Sequence, residues 1–243
     1  MARTSRRIRP TPTRNRRSRP PRLRARPAAP PAPPSGALEV VLATRNPGKV
    51  RELLDLLRDL PLQVYTLHAF PQIRDLHEDG LTYTENAISK ALAVARLTRR
   101  VAVADDSGIE IDALQGAPGP HSRRFLGEGI SDTARNARIL KLLAEVPAKS
   151  RTARYRAVVA VTTPEGTVRT FEGICEGQIA VAPRGSHGFG YDPIFLVPEY
   201  GKTMAQLPMA VKHRISHRAR AMAAARVYLR QLAIGETTAA SDQ

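Results

Sequence analysis

Asp105 and Asp106 stand side by side in ADDSG (104–108), directly after the apolar run VAVA (101–104). Two carboxylates where a buried strand ends lie at the sheet edge, the place where α/β proteins commonly bind ligands. Hard oxygen donors of this kind suit Mg²⁺, which takes one or two carboxylates and fills its shell with phosphate and water oxygens. The same pair also fits a turn followed by a helix cap. Glu78 and Asp79, in HEDG, add further oxygen donors.

Three other clusters carry chemistry. TRNPGK (44–49) follows an apolar run and opens a helical pattern. Backbone N–H groups at such a helix start, together with the Lys49 ammonium, form a phosphate cradle. The Gly-x4-Gly-Lys-Ser/Thr spacing of a Walker A loop is absent, and Asn and Gly also serve any tight turn. KHRISHR (212–218) gathers Lys212, His213, Arg214, His217 and Arg218, an anion site if the five converge and a solvated surface if they do not. With Ser216 as N-cap, His217 and Arg218 fall in a first helical turn, where cations oppose the helix dipole and a bound anion would relieve them. GFGYDPIF (188–195) places Phe189 between two glycines, with a carboxylate close behind. The residues alone point to a Mg²⁺-dependent enzyme acting on a phosphorylated ligand with a planar ring.

The elements that must position these groups alternate. LEVVLAT (38–44) reads as a buried strand, and VRELLDLLRDL (50–60) as a helix with Leu53, Leu57 and Leu60 on one face. Thr82 and Glu85 have capping-box spacing before a helix whose apolar stripe is Ile88, Ala91, Leu92 and Ala95. VAVA reads as a second buried strand that stops at DDSG, and Ile139, Leu142, Leu143 and Val146 stripe a third helix. RYRAVVAVTT and TVRTFEG flank the turn PEG as an antiparallel hairpin, and a last helix runs from Ser216 to about Ala233. No internal repeat is present. The pattern predicts one α/β domain with a central mixed sheet flanked by helices.

Composition limits the alternatives. The 243 residues are 42% hydrophobic and 25% charged, enough for one sizeable core. No apolar run approaches the roughly 18 residues of a membrane span, and none resembles a secretory signal. A lone cysteine, Cys175, fits a reducing compartment and predicts a soluble, cytoplasmic protein. Residues 1–36 hold eleven arginines, nine of the 20 prolines and no acid; without those arginines the net charge of +16 falls to +5. Such a segment cannot offset its ordering entropy by burial, so disorder is expected, with folding from about Ala37. It reads as an ill-defined extension or misassigned start, a nucleic-acid-contacting arm, or a transit peptide. The domain is expected over 37–235, followed by a flexible tail, 236–243.

Taken in order, LATRNPGKVREL, EDGLTYTENAISKA, ADDSGIEIDAL, GAPGPHSRRF, GFGYDPIFLVP, GKTMAQL and KHRISHRARA resemble the inosine triphosphate pyrophosphatase family. The likeness covers about residues 38–232. It implies an elongated domain whose two lobes enclose the active-site cleft, and a homodimer. The implied reaction is hydrolysis of non-standard purine nucleoside triphosphates (ITP, dITP, XTP) to the monophosphate and pyrophosphate.

By the same resemblance, Asp106 is general base and metal ligand, supported by Asp105, and Glu78 helps to hold Mg²⁺. Thr44, Arg45, Asn46, Pro47, Gly48 and Lys49 bind the triphosphate, and Ser107 contacts substrate. Phe189, Gly190, Tyr191 and Asp192 line the base pocket, while Lys212, His217 and Arg218 bind the nucleotide from the other lobe. The chain departs from the family after GAPG: Pro120 and His121 replace an aliphatic residue and a tyrosine, and Arg123 replaces a small residue. Two rivals remain. One is a pyrophosphatase for modified pyrimidine nucleotides or dUTP, since stacking does not choose the base. The other is a nucleic-acid-binding protein acting through the basic arm, against which the modest charge of the remainder argues.

Overall fold

One long strand, paired differently on its two sides, organises the molecule. The computed structural model describes residues 36–235 except 75, 77, 78 and 128. Seven strands form a single sheet in the order β2-β1-β3-β4-β5-β6-β7. Here β1 is Leu38–Leu42, β2 Leu62–Thr66, β3 Val101–Ile111, β4 Thr152–Thr162, β5 Val168–Ile179, β6 Phe195–Val197 and β7 Lys202–Thr203. Pairing of β1 with β2 and with β3 is parallel, and every later pair is antiparallel. The sheet is mixed, as the alternation of elements predicted.

Five α-helices occur among the described residues: α1 Pro47–Leu57, α2 Tyr83–Thr98, α3 Asp132–Leu142, α4 Met209–Ile215 and α5 His217–Ala233. On one face, Leu53 and Leu57 of α1 and Ala221, Met222 and Ala225 of α5 pack against Val40, Leu42, Val103 and Val159. Ala87, Ala91 and Val94 of α2 cover Val41, Ala102, Ala104 and Ala160 on the opposite face. A third cluster joins Ile139 and Leu143 to Ile109, Ile111, Tyr155 and Phe195 further along the sheet. No helix among the described residues is long and apolar enough to cross a membrane.

Several boundaries differ from the sequence reading. The first helix begins at Pro47, because Asn46 caps it and proline suits a first helical position; Leu60 is buried but lies beyond the helix end. The stripe on α2 is rotated: Tyr83, Ala87, Ala91, Val94 and Ala95 face the sheet, and Ile88 and Leu92 lie at its margin. Leu142 points outward, half exposed, and Val146 falls after α3. The largest difference concerns the acid pair. β3 does not stop at VAVA; it runs through both aspartates to Ile111, held along its length by β4. Thr82 and Glu85 do form the capping box, and the Ser216 hydroxyl accepts the Ala219 N–H at the start of α5.

Candidate active site

β1 ends at Leu42, whose partner on β3 is Val103, and the Ala43 N–H still reaches the Val103 carbonyl at 2.8 Å. Beyond that point β3 continues without β1 beside it. Both lysines of the site converge there. Lys49 Nζ donates to the Asp105 carbonyl at 3.2 Å, and Lys90 Nζ donates to the same oxygen at 3.0 Å. Two ammonium groups thus mark the ladder edge that the parallel strand leaves open.

Consecutive strand residues face opposite ways, so the two aspartates part company. Asp106 turns toward α2. Its Oδ1 accepts from Lys90 Nζ at 2.8 Å, and its Oδ2 from Asn86 Nδ2 at 3.4 Å. Asn86 also binds the Gly80 N–H and carbonyl, tying the segment before α2 to this carboxylate. Asp105 turns toward α1 and α5 and is wholly buried. Its oxygens take Lys49 Nζ at 2.6 Å, Ser107 Oγ at 2.9 Å, and Arg218 Nε and Nη2 at 3.0 and 3.2 Å. Burial opposes its ionisation, but the Arg218 and Lys49 charges overcome that and hold the carboxyl well below the usual carboxylate range.

From Asp105 the charges alternate inward. Arg218 Nη1 meets Glu52 Oε2 at 2.6 Å, Glu52 Oε1 meets Lys212 Nζ at 2.7 Å, and Lys212 Nζ meets Asp192 Oδ2 at 2.5 Å. Asp192 also receives the Tyr155 hydroxyl and the Phe189 N–H. Burial disfavours the Lys212 ammonium, yet Asp192 and Glu52 outweigh it and raise its pKa. Glu52 is held low because Arg218 and Lys212 outweigh burial. KHRISHR therefore does not present five free cations. The anions that relieve Lys212 and Arg218 are the protein's own, and only His213 and Arg214 lie toward solvent, His213 with Asp55 4.0 Å away. His217 is buried and stacks on Tyr155 at 4.5 Å, with Nδ1 lacking a hydrogen-bond partner among the described residues. Burial, reinforced by Arg218, drives its pKa well below the ordinary value, so the ring is neutral.

The TRNPGK turn is likewise more internally engaged than its sequence suggests. Asn46 Oδ1 accepts the Gly48 N–H at 2.9 Å and the Lys49 N–H at 3.3 Å, and Thr44 Oγ1 accepts the Asn46 N–H. Pro47 has no N–H to offer. The Arg45 guanidinium turns away to the carbonyls of Ile73 and Arg74. That leaves Lys49 as the charged group of the turn directed at β3. Phe189 lies directly on Gly48: a Cβ there would come within 2.3 Å of the ring. Lys212 Nζ and Arg218 Cζ stand 5.2 and 5.6 Å from the ring centroid, within cation–π range. The aromatic, the turn and the α4–α5 cations are brought together. Tyr191 is not with them; its hydroxyl is buried on the Ser122 carbonyl at 2.6 Å. The departures do not disturb this frame. His121 and Arg123 are exposed, while Ser122 between them is buried, accepting the Ile109 N–H.

Glu52, Asn86 and Lys90 went unrecognised in the sequence. Their signal was a polar residue on the inward face of a helix: Asn86 and Lys90 stand four apart on the buried side of α2, and Glu52 is 2% exposed beside Leu53. Glu78, the second expected metal ligand, lies outside the described residues. Among the described residues no group of three or more acidic, histidine or cysteine side chains could hold a metal ion. Mg²⁺ needs no such group, since one or two carboxylates suffice when phosphates complete the shell, and Asp106 supplies a carboxylate beside an open strand edge.

The chain matches the Ham1 family over residues 40–228. It is 51% identical over 197 residues to the dITP/XTP pyrophosphatase of Desulforamulus reducens, covering 81% of this chain and 98% of that one. Identity to the dITP/XTP pyrophosphatase of Geobacter sulfurreducens is 48% over 184 residues, 76% of this chain and 92% of the other. The solved Ham1 protein of Staphylococcus aureus superposes with a TM-score of 0.71 at 37% identity, covering 82% of this chain and all of that one.

Proposed function

The chain belongs to the Ham1 family, and on that premise we propose that it is a Mg²⁺-dependent pyrophosphohydrolase for dITP, XTP and ITP. It would act in the cytoplasm as a homodimer, with residues 37–235 as the catalytic domain. The observation that carries this reading is the convergence of Lys49, Lys90 and the Asp106 carboxylate where β1 leaves β3. Ammonium groups beside a carboxylate suit a polyphosphate that must be gripped while a water is activated.

In this mechanism the triphosphate lies along the 44–49 turn, with Lys49 on its oxygens and Ser107 beside it. Asp106, with Glu78, would hold Mg²⁺, which when bound neutralises phosphate charge and orients the chain for in-line attack. Asp106 takes a proton from water, the water oxygen bonds to the α-phosphorus, and the α–β anhydride breaks with its electron pair leaving on pyrophosphate. Lys90 holds Asp106 through a charge-assisted hydrogen bond. Phe189 stacks on the purine, and Gly190 and Asp192 hold that loop in place. Lys212, His217 and Arg218 form the wall beside it. Donors facing a 6-keto group would leave an adenine amino group opposed to another donor, which disfavours ATP.

A substrate panel scored for pyrophosphate release tests the proposal. With Mg²⁺ present, kcat/KM for dITP and XTP is expected to exceed that for ATP by about two orders of magnitude. Equal hydrolysis of ATP rejects it, and a preference for dUTP selects the pyrimidine reading instead.

A further inference from the structure

Gly190 is gripped on both sides by one helix. Its N–H donates to Asp132 Oδ2 at 2.8 Å, and its carbonyl accepts from Asn136 Nδ2 at 3.0 Å. Asp132 opens α3 and Asn136 follows one turn later, so both side chains project from the same face. Gly190 has φ of 62°, a left-handed conformation that glycine adopts without strain. Fixing the peptide groups on both sides of this residue fixes the chain direction at its neighbour, Phe189.

The grip is itself braced. Asp132 Oδ1 accepts from Arg135 Nη1 at 3.1 Å, and Arg135 Nε reaches the Phe125 carbonyl at 3.1 Å. Arg135 and Asn136 are buried, whereas the Asp132 side chain is 53% exposed. On the far side of the loop, Asp192 Oδ2 takes the Phe189 N–H. Phe189 is thus held between α3, acting through Gly190, and the buried Asp192–Lys212 pair. None of these α3 residues approaches Asp106 or Lys49 among the contacts described above.

We propose that Asp132 and Asn136 are positioning residues for Phe189, so that α3 sets affinity for the base without taking part in bond cleavage. The proposal rests on the reading above that Phe189 stacks on the purine. A contact remote from the breaking bond contributes equally to ground and transition states, so losing it raises KM and leaves kcat alone. A general loss of structure would instead lower the active fraction and hence the apparent kcat.

The decisive variants are D132A, which removes the acceptor, D132N, which keeps one, and N136A. Asp132 is half exposed, so D132A is expected to fold. D132A should raise KM for dITP about tenfold with kcat within about twofold. D132N should stay within about twofold of the parent in both, and N136A should follow D132A. Inhibition by inorganic triphosphate, which has no base, should be unchanged. The chain contains no tryptophan, so F189W supplies a single fluorophore in the loop. Adding D132A to F189W should at least double its quenching by acrylamide. An unchanged KM, a fall in kcat with KM intact, parallel weakening of inorganic triphosphate, or unchanged quenching would each overturn the proposal. Should the parent enzyme not hydrolyse dITP, the functional reading fails, and the quenching comparison still decides whether α3 holds Phe189.

Discussion

Asp105 and Asp106 are neighbours in sequence and face opposite sides of β3, one buried on Arg218 and Lys49, the other turned toward Lys90. One strand step separates a carboxylate locked between α1 and α5 from one that faces α2.

Their variants should therefore fail differently. D106N is expected to lower turnover by about 10²–10⁴-fold, the usual effect of losing a general base, while dITP still binds; it also strips the buried Lys90 ammonium of a charge partner and so lowers the melting temperature. D105N removes a partner from a buried pair, which costs about 3–5 kcal/mol of stability. Single-turnover rates of the folded protein separate the two, because D105N leaves the proposed base in place. A D106N enzyme within tenfold of the parent would remove Asp106 from its assigned role.

Gly48 offers a sharper contrast between stability and function. Alanine is favoured over glycine in a helix by about 1 kcal/mol, so G48A should not lower the melting temperature through α1 itself. The new methyl would, however, occupy the space of the Phe189 ring. The expected result is near-parental stability with KM for dITP raised several-fold. A lowered melting temperature with unchanged KM would show that the ring relocates without consequence for binding.

The folded His217 pKa lies well below its unfolded value of about 6.5. The unfolded chain therefore binds a proton that the folded chain refuses. Stability from this group is fully present above about pH 6.5 and falls as the pH drops below it, by up to about 1.4 kcal/mol per pH unit for one proton. H217N should flatten the dependence of unfolding free energy on pH between about 7 and 5. Identical slopes in the parent and H217N would place the acid sensitivity elsewhere.

How much of this was legible depends on whether a feature is local. Capping residues are local signals, and Thr82, Glu85 and Ser216 declared their helix starts. β3 was misread because two aspartates and a serine look like a turn. Partners remote in sequence, Lys49, Lys90 and Arg218 among them, make them tolerable inside a strand. The partners of KHRISHR were illegible for the same reason, because the carboxylates that face it come from Glu52, Asp105 and Asp192. Charge neutralisation across the fold leaves no periodicity behind.

Removal of residues 1–36 should leave turnover and melting temperature essentially unchanged. That segment is acid-free, rich in arginine and proline, and outside every motif. Steady-state rates at low salt on matched concentrations of full-length and shortened protein check this, and a large loss of turnover in the shortened protein would contradict it. Parallel measurement of DNA binding tests whether the arm alone carries any affinity for nucleic acid.

β4 accompanies β3 from end to end, whereas β1 leaves it at Val103. The consequence is one of timing. Asp106 is mounted on peptide groups that part only when the sheet itself opens, so deuterium should enter the β3–β4 ladder on the slowest schedule in the molecule. The TRNPGK turn and the Phe189 loop stand outside that ladder, their N–H groups held by side chains rather than by a neighbouring strand, and should exchange sooner. Local opening of these segments then leaves the backbone that carries Asp106 in place.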